Sequence, residues 1–200
     1  MPTDAELVQI TDAALSDSYA RAGHWMACKP GCHQCCVGVF PISTLDAARL
    51  REALSMAEPT TAAHIRRRAS EARVRLSRDF PGDTVSGQLF TEPHHEGIFD
   101  DFANDEPCPV LDPLTGTCDL YAARPMACRT FGPPMPNDEG GLAVCELCFV
   151  GAPPSEVARC AVDAGFLDVE AVAISEHESH TDALGLTLIA FALAPSEIRV

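Results

Sequence analysis

The chain has 200 residues, of which 46% are hydrophobic, a size and composition typical of one globular domain over residues 1–200 that can form a core without cysteine cross-links. The formal net charge of −15, from 14 basic and 29 acidic residues, argues against nucleic acid as a partner. No segment reaches the roughly 18 to 20 apolar residues of a membrane span, and residues 1–6 lack the features of a secretory signal, so we expect no membrane association and a cytoplasmic location.

Helical periodicity dominates the first part of the chain. Residues 4–21 place Leu7, Ile10 and Leu15 on one side of a predicted helix. Ser43, followed by an acid three positions on, is a capping signal for a second helix with apolar residues at 47, 50, 54 and 57. A third helix is predicted over residues 60–79, and these two helices should form a hairpin.

Turn-forming residues and then cysteines interrupt this pattern. Residues 80–107 are rich in Gly, Pro and acids and are predicted to be loop, and Pro-rich turns follow from 108 to 148. Further helices are predicted from Pro153 through Cys160, over 166–175 and near 181–193, the last apolar enough to pack in a core or against a partner. Short strands are possible around 36–42 and 117–121.

These elements predict a mainly α fold with irregular cysteine-rich metal-binding loops and few or no strands. Residues 28–148 would form a cysteine-cluster core, and residues 149–200 a C-terminal helical segment.

The basic residues are concentrated in residues 49–78, where eight arginines outnumber three glutamates, so this segment carries +5 and the remainder −20. The arginines are Arg49, Arg51, Arg66, Arg67, Arg68, Arg73, Arg75 and Arg78. The segment is either a solvated helix face that compensates the acidic body or a docking face for an acidic protein partner.

Nine of the ten cysteines fall into two groups, and Cys160 stands apart as a predicted small buried residue. The nine are Cys28, Cys32, Cys35 and Cys36 in the first group, and Cys108, Cys118, Cys128, Cys145 and Cys148 in the second. Thiolates this dense need a metal or disulfides. A reducing compartment disfavours disulfides, so we interpret all nine as metal ligands, with a disulfide-stapled interaction protein as the alternative.

The spacing within the groups supports metal ligation. Spacers of two or three residues let one turn aim several sulfurs at one point, and Cys145-x2-Cys148 is a ligand spacing in its own right. Adjacent Cys35 and Cys36 would diverge in an extended strand, so one of them is expected to face a second metal, another atom of a cluster, or the core. Thiolates select zinc, iron–sulfur clusters or Cu(I).

Charged and aromatic residues near these cysteines are secondary candidates. Arg124 and Arg129 flank Cys128 and are predicted to offset the negative charge of a thiolate site, as cofactor-binding residues. The alternative is that both make surface ion pairs. His33 could add a ligand, whereas His94 and His95 are expected to be solvated. Trp25 is expected to pack over the first group.

Three segments resemble a known family: CPVL at 108–111, CDLY at 118–121 and RPMACRTF at 124–131. Together with the first cysteine group, which has one residue more than the family's CxxCxxCC, they resemble the YkgJ-type cysteine-cluster family, described as a zinc- or iron-chelating domain. The resemblance covers about residues 28–148 and implies metal binding, not a particular reaction.

Two other resemblances bear on function. A similar cysteine domain occurs in the flagellin lysine N-methylases, which implies that an iron–sulfur cluster is possible. The spacing Cys28-x3-Cys32-x2-Cys35 matches the cluster loop of radical-SAM enzymes, but no run of alternating strands and helices follows it. The first hypothesis is therefore a zinc- or iron-binding protein; the alternative is an iron–sulfur enzyme or accessory in protein or peptide modification such as methyl transfer.

Overall fold

The computed structural model describes residues 3–29, 31–90, 99, 101–137, 139–181 and 183–194. The chain forms two compact units: unit 1 comprises Met1–Pro30 and Met126–His177, and unit 2 comprises Gly31–Pro125 and Glu178–Val200. The predicted single domain over 1–200 and the segment boundaries within it stay predictions. His94 and His95 lie outside the described residues.

The fold is mainly α, as predicted. The helices are α1 (Asp4–Ala22), α2 (Thr44–Met56), α3 (Pro59–Leu76), α4 (Met126–Thr130), α5 (Pro154–Arg159), α6 (Phe166–His180) and α7 (Ile189–Leu193). Short 3-10 helices cover Gly23–Trp25, Gln34–Cys36 and Tyr121–Ala123. None of the helices in the described part of the chain is long and apolar enough to cross a membrane.

The strands are two residues long and pair antiparallel. The pairs are β1 (Ile42–Ser43) with β8 (Leu186–Thr187), β2 (Gly82–Asp83) with β3 (Gln88–Leu89), β4 (Leu111–Asp112) with β5 (Thr117–Cys118), and β6 (Met135–Pro136) with β7 (Leu142–Ala143). Part of the predicted 80–107 loop is therefore the β2–β3 hairpin.

The core of unit 2 supports the β4–β5 hairpin. Leu50 of α2, Ile65 of α3 and Leu193 of α7 are buried together with Val110. Cys108 and Cys118 pack against this cluster. The helices therefore support two predicted ligands, Cys108 just before the hairpin and Cys118 on β5.

The predicted helix near 181–193 is wrong in its first half. β8 occupies residues 186–187 and pairs with β1, and the hydroxyl of Thr187 donates to the carbonyl of Gly87 at 2.7 Å. The helix therefore begins only at Ile189. The predicted burial is confirmed, because every residue from Leu188 to Leu193 is buried.

Most arginines of segment 49–78 contact groups of unit 2. The ion pairs are Arg49 with Asp46, Arg67 with Glu71, Arg68 with Asp119 and Arg75 with Glu106. The guanidinium of Arg51 donates to the carbonyl of Ala192, and that of Arg73 lies 5.2 Å from the Phe191 ring centroid. The acidic partner stays a prediction.

The capping signal at Ser43 is confirmed and provides a test of this end of α2. The Ser43 hydroxyl accepts a hydrogen bond from the backbone N–H of Asp46 at 3.1 Å. Ser43→Ala is expected to lower the free energy of unfolding by about 1 kcal/mol, the usual value of a lost N-cap. Chemical denaturation measures it. Ser55→Ala, inside the same helix, is the control and should change stability by less than about 0.5 kcal/mol; equal effects would contradict the capping role.

Candidate metal centre

Backbone hydrogen bonds bring the first cysteines of unit 2 to the β4–β5 hairpin. The N–H of Cys108 donates to the carbonyl of Cys36 at 2.8 Å, and Val37 forms an isolated bridge with Pro107. Cys118 lies opposite Leu111 across the hairpin, and the N–H of Leu111 donates to the carbonyl of Cys108 at 3.0 Å. Residues far apart in sequence are thus held as neighbours.

Cys35 and Cys36 do not diverge. They lie in a 3-10 helix, and the thiol of Cys36 donates a hydrogen bond to the sulfur of Cys35. The assumption of an extended strand, in which successive side chains alternate, is therefore wrong. That one of the two sulfurs faces a second metal, another atom of a cluster or the core stays a prediction. The two cysteines lie on the same short helical turn.

Backbone N–H groups also point at the hairpin sulfurs. The Cys108 sulfur accepts hydrogen bonds from the amides of Val110 and Leu111, and the Cys118 sulfur accepts one from the amide of Leu120. Hydrogen bonds of this kind favour the charged form of a thiol. They are the supporting contacts expected of a thiolate that serves as a metal ligand.

Burial opposes ionisation of the same sulfurs. The hydrogen bond from Cys36 lowers the pKa of Cys35 to about 6, and the pKa of Cys36 is raised by that bond, by burial and by the neighbouring Cys35, Cys108 and Cys118. Burial raises the pKa of Cys108 to about 12 and also raises the pKa of Cys118. Ionising these four neighbouring thiols together would therefore require a cation that compensates their charge.

Arg124 contributes positive charge to this neighbourhood. Its guanidinium lowers the pKa of Cys35 and of Cys118, acting beside stronger influences. The guanidinium carbon lies 3.8 Å from the ring centroid of Tyr121, and the carbonyl of Arg124 accepts a hydrogen bond from Arg49 at 3.4 Å. Stacking and backbone anchoring hold the charge in place. The exposed His33 also lowers the pKa of Cys35.

Arg68 of α3 fixes the hairpin at two points. Its Nε donates to the carbonyl of Pro109 at 2.8 Å, and its Nη2 donates to Oδ2 of Asp119 at 2.5 Å. Each contact is to the residue that follows a cysteine, Cys108 or Cys118. Arg68 thus positions the residues after both cysteines, whereas its place in segment 49–78 indicates only a solvated or a docking face.

Unit 1 assembles a second group of cysteines. Cys28 and Cys145 pack against a buried cluster that includes Cys148, and the N–H of Cys148 donates to the carbonyl of Cys145 at 2.8 Å. The Cys148 sulfur accepts hydrogen bonds from the amides of Ala27 and Cys28, although burial is the larger influence and raises its pKa. Trp25 packs against the same cluster, as expected.

The other predicted ligands divide between the units. Cys32 precedes the 3-10 helix of Cys35 and Cys36 in unit 2, and Cys128 lies on α4 in unit 1. The two sequence groups therefore do not coincide with the two units, because Cys28 belongs to unit 1 with Cys145 and Cys148. None of the ten cysteines is in a disulfide.

Arg129 and Cys160 have structural contacts in unit 1. Arg129 is 3% exposed, and its Nη1 lies 2.8 and 3.0 Å from the two carboxylate oxygens of Asp12. Its role in offsetting thiolate charge stays a prediction. Cys160 is buried, as predicted, and its carbonyl accepts a hydrogen bond from the Ser18 hydroxyl at 2.5 Å.

The cysteines of each unit lie near one another, but their side chains do not have the arrangement of a bound metal's ligands. Within the described residues, no three His, Cys, Asp or Glu side chains are arranged so that they could hold a metal ion. The donor chemistry of the unit 2 thiols nevertheless fits zinc or iron, which prefer thiolates supported by N–H donors. Side-chain rotation would have to accompany metal binding, as is common where binding and folding are coupled.

One comparison with known proteins bears on this site. A family model named CxxCxxCC and described as a "putative zinc- or iron-chelating domain" matches residues 27–148. The match contains all nine cysteines of the two sequence groups and ends at Cys148. No curated protein and no solved structure matches the chain.

Proposed function

The chain belongs to the CxxCxxCC family of zinc- or iron-chelating domains, and from this premise we propose that unit 2 holds one zinc or iron ion through Cys35, Cys36, Cys108 and Cys118. The ion has a structural role: it joins the 3-10 helix of the first two cysteines to the β4–β5 hairpin of the other two. Metal-binding free energy then adds directly to the stability of these loops.

The observation that carries the proposal is the set of backbone contacts that brings these cysteines together. The N–H of Cys108 donates to the carbonyl of Cys36 at 2.8 Å, and Cys118 lies opposite Leu111 across the β4–β5 hairpin. Backbone amides donate to two of these sulfurs, and Arg124 supplies positive charge. Cys32 is the further cysteine of this unit, and its role as a metal ligand stays a prediction outside this four-sulfur site.

One tetrahedral ion can take both adjacent cysteines. Two ligands of one zinc, with Zn–S bonds of about 2.3 Å, have sulfurs about 3.8 Å apart, and residues of a single 3-10 turn can reach such a separation after side-chain rotation. An iron–sulfur cluster in which both cysteines bind the same iron is the alternative that the test below distinguishes.

The test is metal analysis of anaerobically purified protein, combined with its visible absorption spectrum. We expect zinc or iron that is lost in Cys36→Ser and retained in the control, Cys160→Ser. Equal metal content in the two variants would contradict the proposed site. Brown protein with acid-labile sulfide would contradict the single ion and favour the iron–sulfur alternative.

A further inference from the structure

A thioether lies beside the cysteines of unit 1. The thiol of Cys148 donates a hydrogen bond to Sδ of Met26, with 3.4 Å between the two sulfurs. The backbone fixes this approach, because the N–H of Phe149 donates to the carbonyl of Trp25 at 2.8 Å. Met26 follows Trp25 in the sequence and Cys148 precedes Phe149, so this hydrogen bond holds the two sulfur-bearing residues side by side.

The surroundings of these sulfurs are apolar and rich in sulfur. The buried residues of the cluster are Ala22, Cys148, Phe149 and Cys160, and Trp25, Met26, Cys28 and Cys145 pack against them. Burial raises the pKa of Cys148, the backbone amides of Ala27 and Cys28 lower it, and the neighbouring thiols of Cys145 and Cys28 raise it. The donors brought together here are thus thiols and one thioether.

This donor set discriminates between metals. Zinc takes thiolate, imidazole and carboxylate ligands, whereas thioethers join thiolates around soft ions such as Cu(I). We propose that unit 1 binds Cu(I) through the thiolates of Cys148 and Cys28, with Met26 as a thioether ligand. This rests on the proposed function in one respect, that cysteines of this chain act as metal donors, but it assigns a different metal to a different unit.

The first test is an anaerobic Cu(I) titration of the full chain, already loaded with zinc, against a chromophoric Cu(I) chelator. Wild-type protein is expected to take up one Cu(I) without releasing zinc. Met26→Leu, which conserves side-chain volume, should weaken Cu(I) binding by about tenfold or more. The control is Met56→Leu, because Met56 is 74% exposed on α2 in unit 2; it should bind Cu(I) like the wild type.

A second measurement distinguishes ligation from packing. The chain has five methionines, so selenomethionine labelling makes a copper–selenium contact visible in X-ray absorption at the copper edge. A Cu–Se contact that disappears in Met26→Leu supports the inference. Unchanged Cu(I) affinity in Met26→Leu, or labelled protein without a Cu–Se contact, overturns it.

The two proposals fail separately. Protein that binds Cu(I) in a Met26-dependent way but neither zinc nor iron would overturn the proposed function of unit 2 and support the copper site. If Cys36→Ser lost zinc or iron while Met26→Leu bound Cu(I) as tightly as the wild type, the site in unit 2 would be supported and the copper site overturned.

Discussion

Cys108→Ser is expected to remove the stabilisation that bound metal gives to the protein, a loss of more than about 3 kcal/mol in the free energy of unfolding. Cys108 packs against the core of unit 2, and its sulfur accepts two backbone N–H groups. A serine hydroxyl is a poor ligand for a soft ion, so the hairpin would lose its link to Cys35 and Cys36.

The measurement is chemical denaturation of each protein with metal and again with a chelator. Wild-type protein should be much more stable with metal than without it, and Cys108→Ser should show almost no difference. Cys160→Ser is the control: it alters a buried site in unit 1, so its stability should fall under both conditions while the metal-dependent difference remains. A full metal-dependent difference in Cys108→Ser would remove Cys108 from the site.

Arg68→Ala is expected to lower the free energy of unfolding by about 2 kcal/mol, the usual value of hydrogen bonds to a charged group that is largely shielded from solvent. The side chains of Arg68 and Asp119 are only 17% and 19% exposed, and the same guanidinium holds the carbonyl of Pro109. Its loss should also speed metal release to a chelator, because the residues after Cys108 and Cys118 are no longer fixed to α3.

The neighbouring Arg67 offers a matched control for this prediction. Its ion pair with Glu71 is exposed, at 63% and 50% of the two side chains, so Arg67→Ala should change stability by less than about 0.5 kcal/mol. Denaturation curves and the rate of metal release are compared for the two variants. If both behaved alike, Arg68 would be an ordinary surface residue of α3.

Local signals in the sequence were sufficient for α1, α2, α3, α5 and α6, but not for α4, which lies in a stretch predicted as Pro-rich turns. The apolar stripe of residues 4–21 corresponds to α1, and the Ser43 cap begins α2, because periodicity and capping involve residues within a few positions of one another. Burial of Cys160 also followed from its place in an apolar helical pattern. The 181–193 segment was predicted less well, since β8 exists only through pairing with β1, more than a hundred residues earlier.

The arrangement of the cysteines could not be read from their spacing. Sequence proximity grouped Cys28 with Cys32, whereas the structure assigns them to different units. Long-range backbone contacts decide this, such as the bond from Cys108 to Cys36 and the bond from Phe149 to Trp25. Met26 carried no signal at all, because a methionine beside a cysteine motif is indistinguishable from a core residue.

The site in unit 2 is tested most directly by X-ray absorption at the edge of the zinc or iron that the purified protein carries, measured for the wild type and for Cys36→Ser. The proposal predicts four sulfur neighbours, at about 2.3 Å if the ion is zinc, and loss of the bound ion in the variant. A metal surrounded by nitrogen and oxygen, or the same sulfur shell in Cys36→Ser, would contradict it.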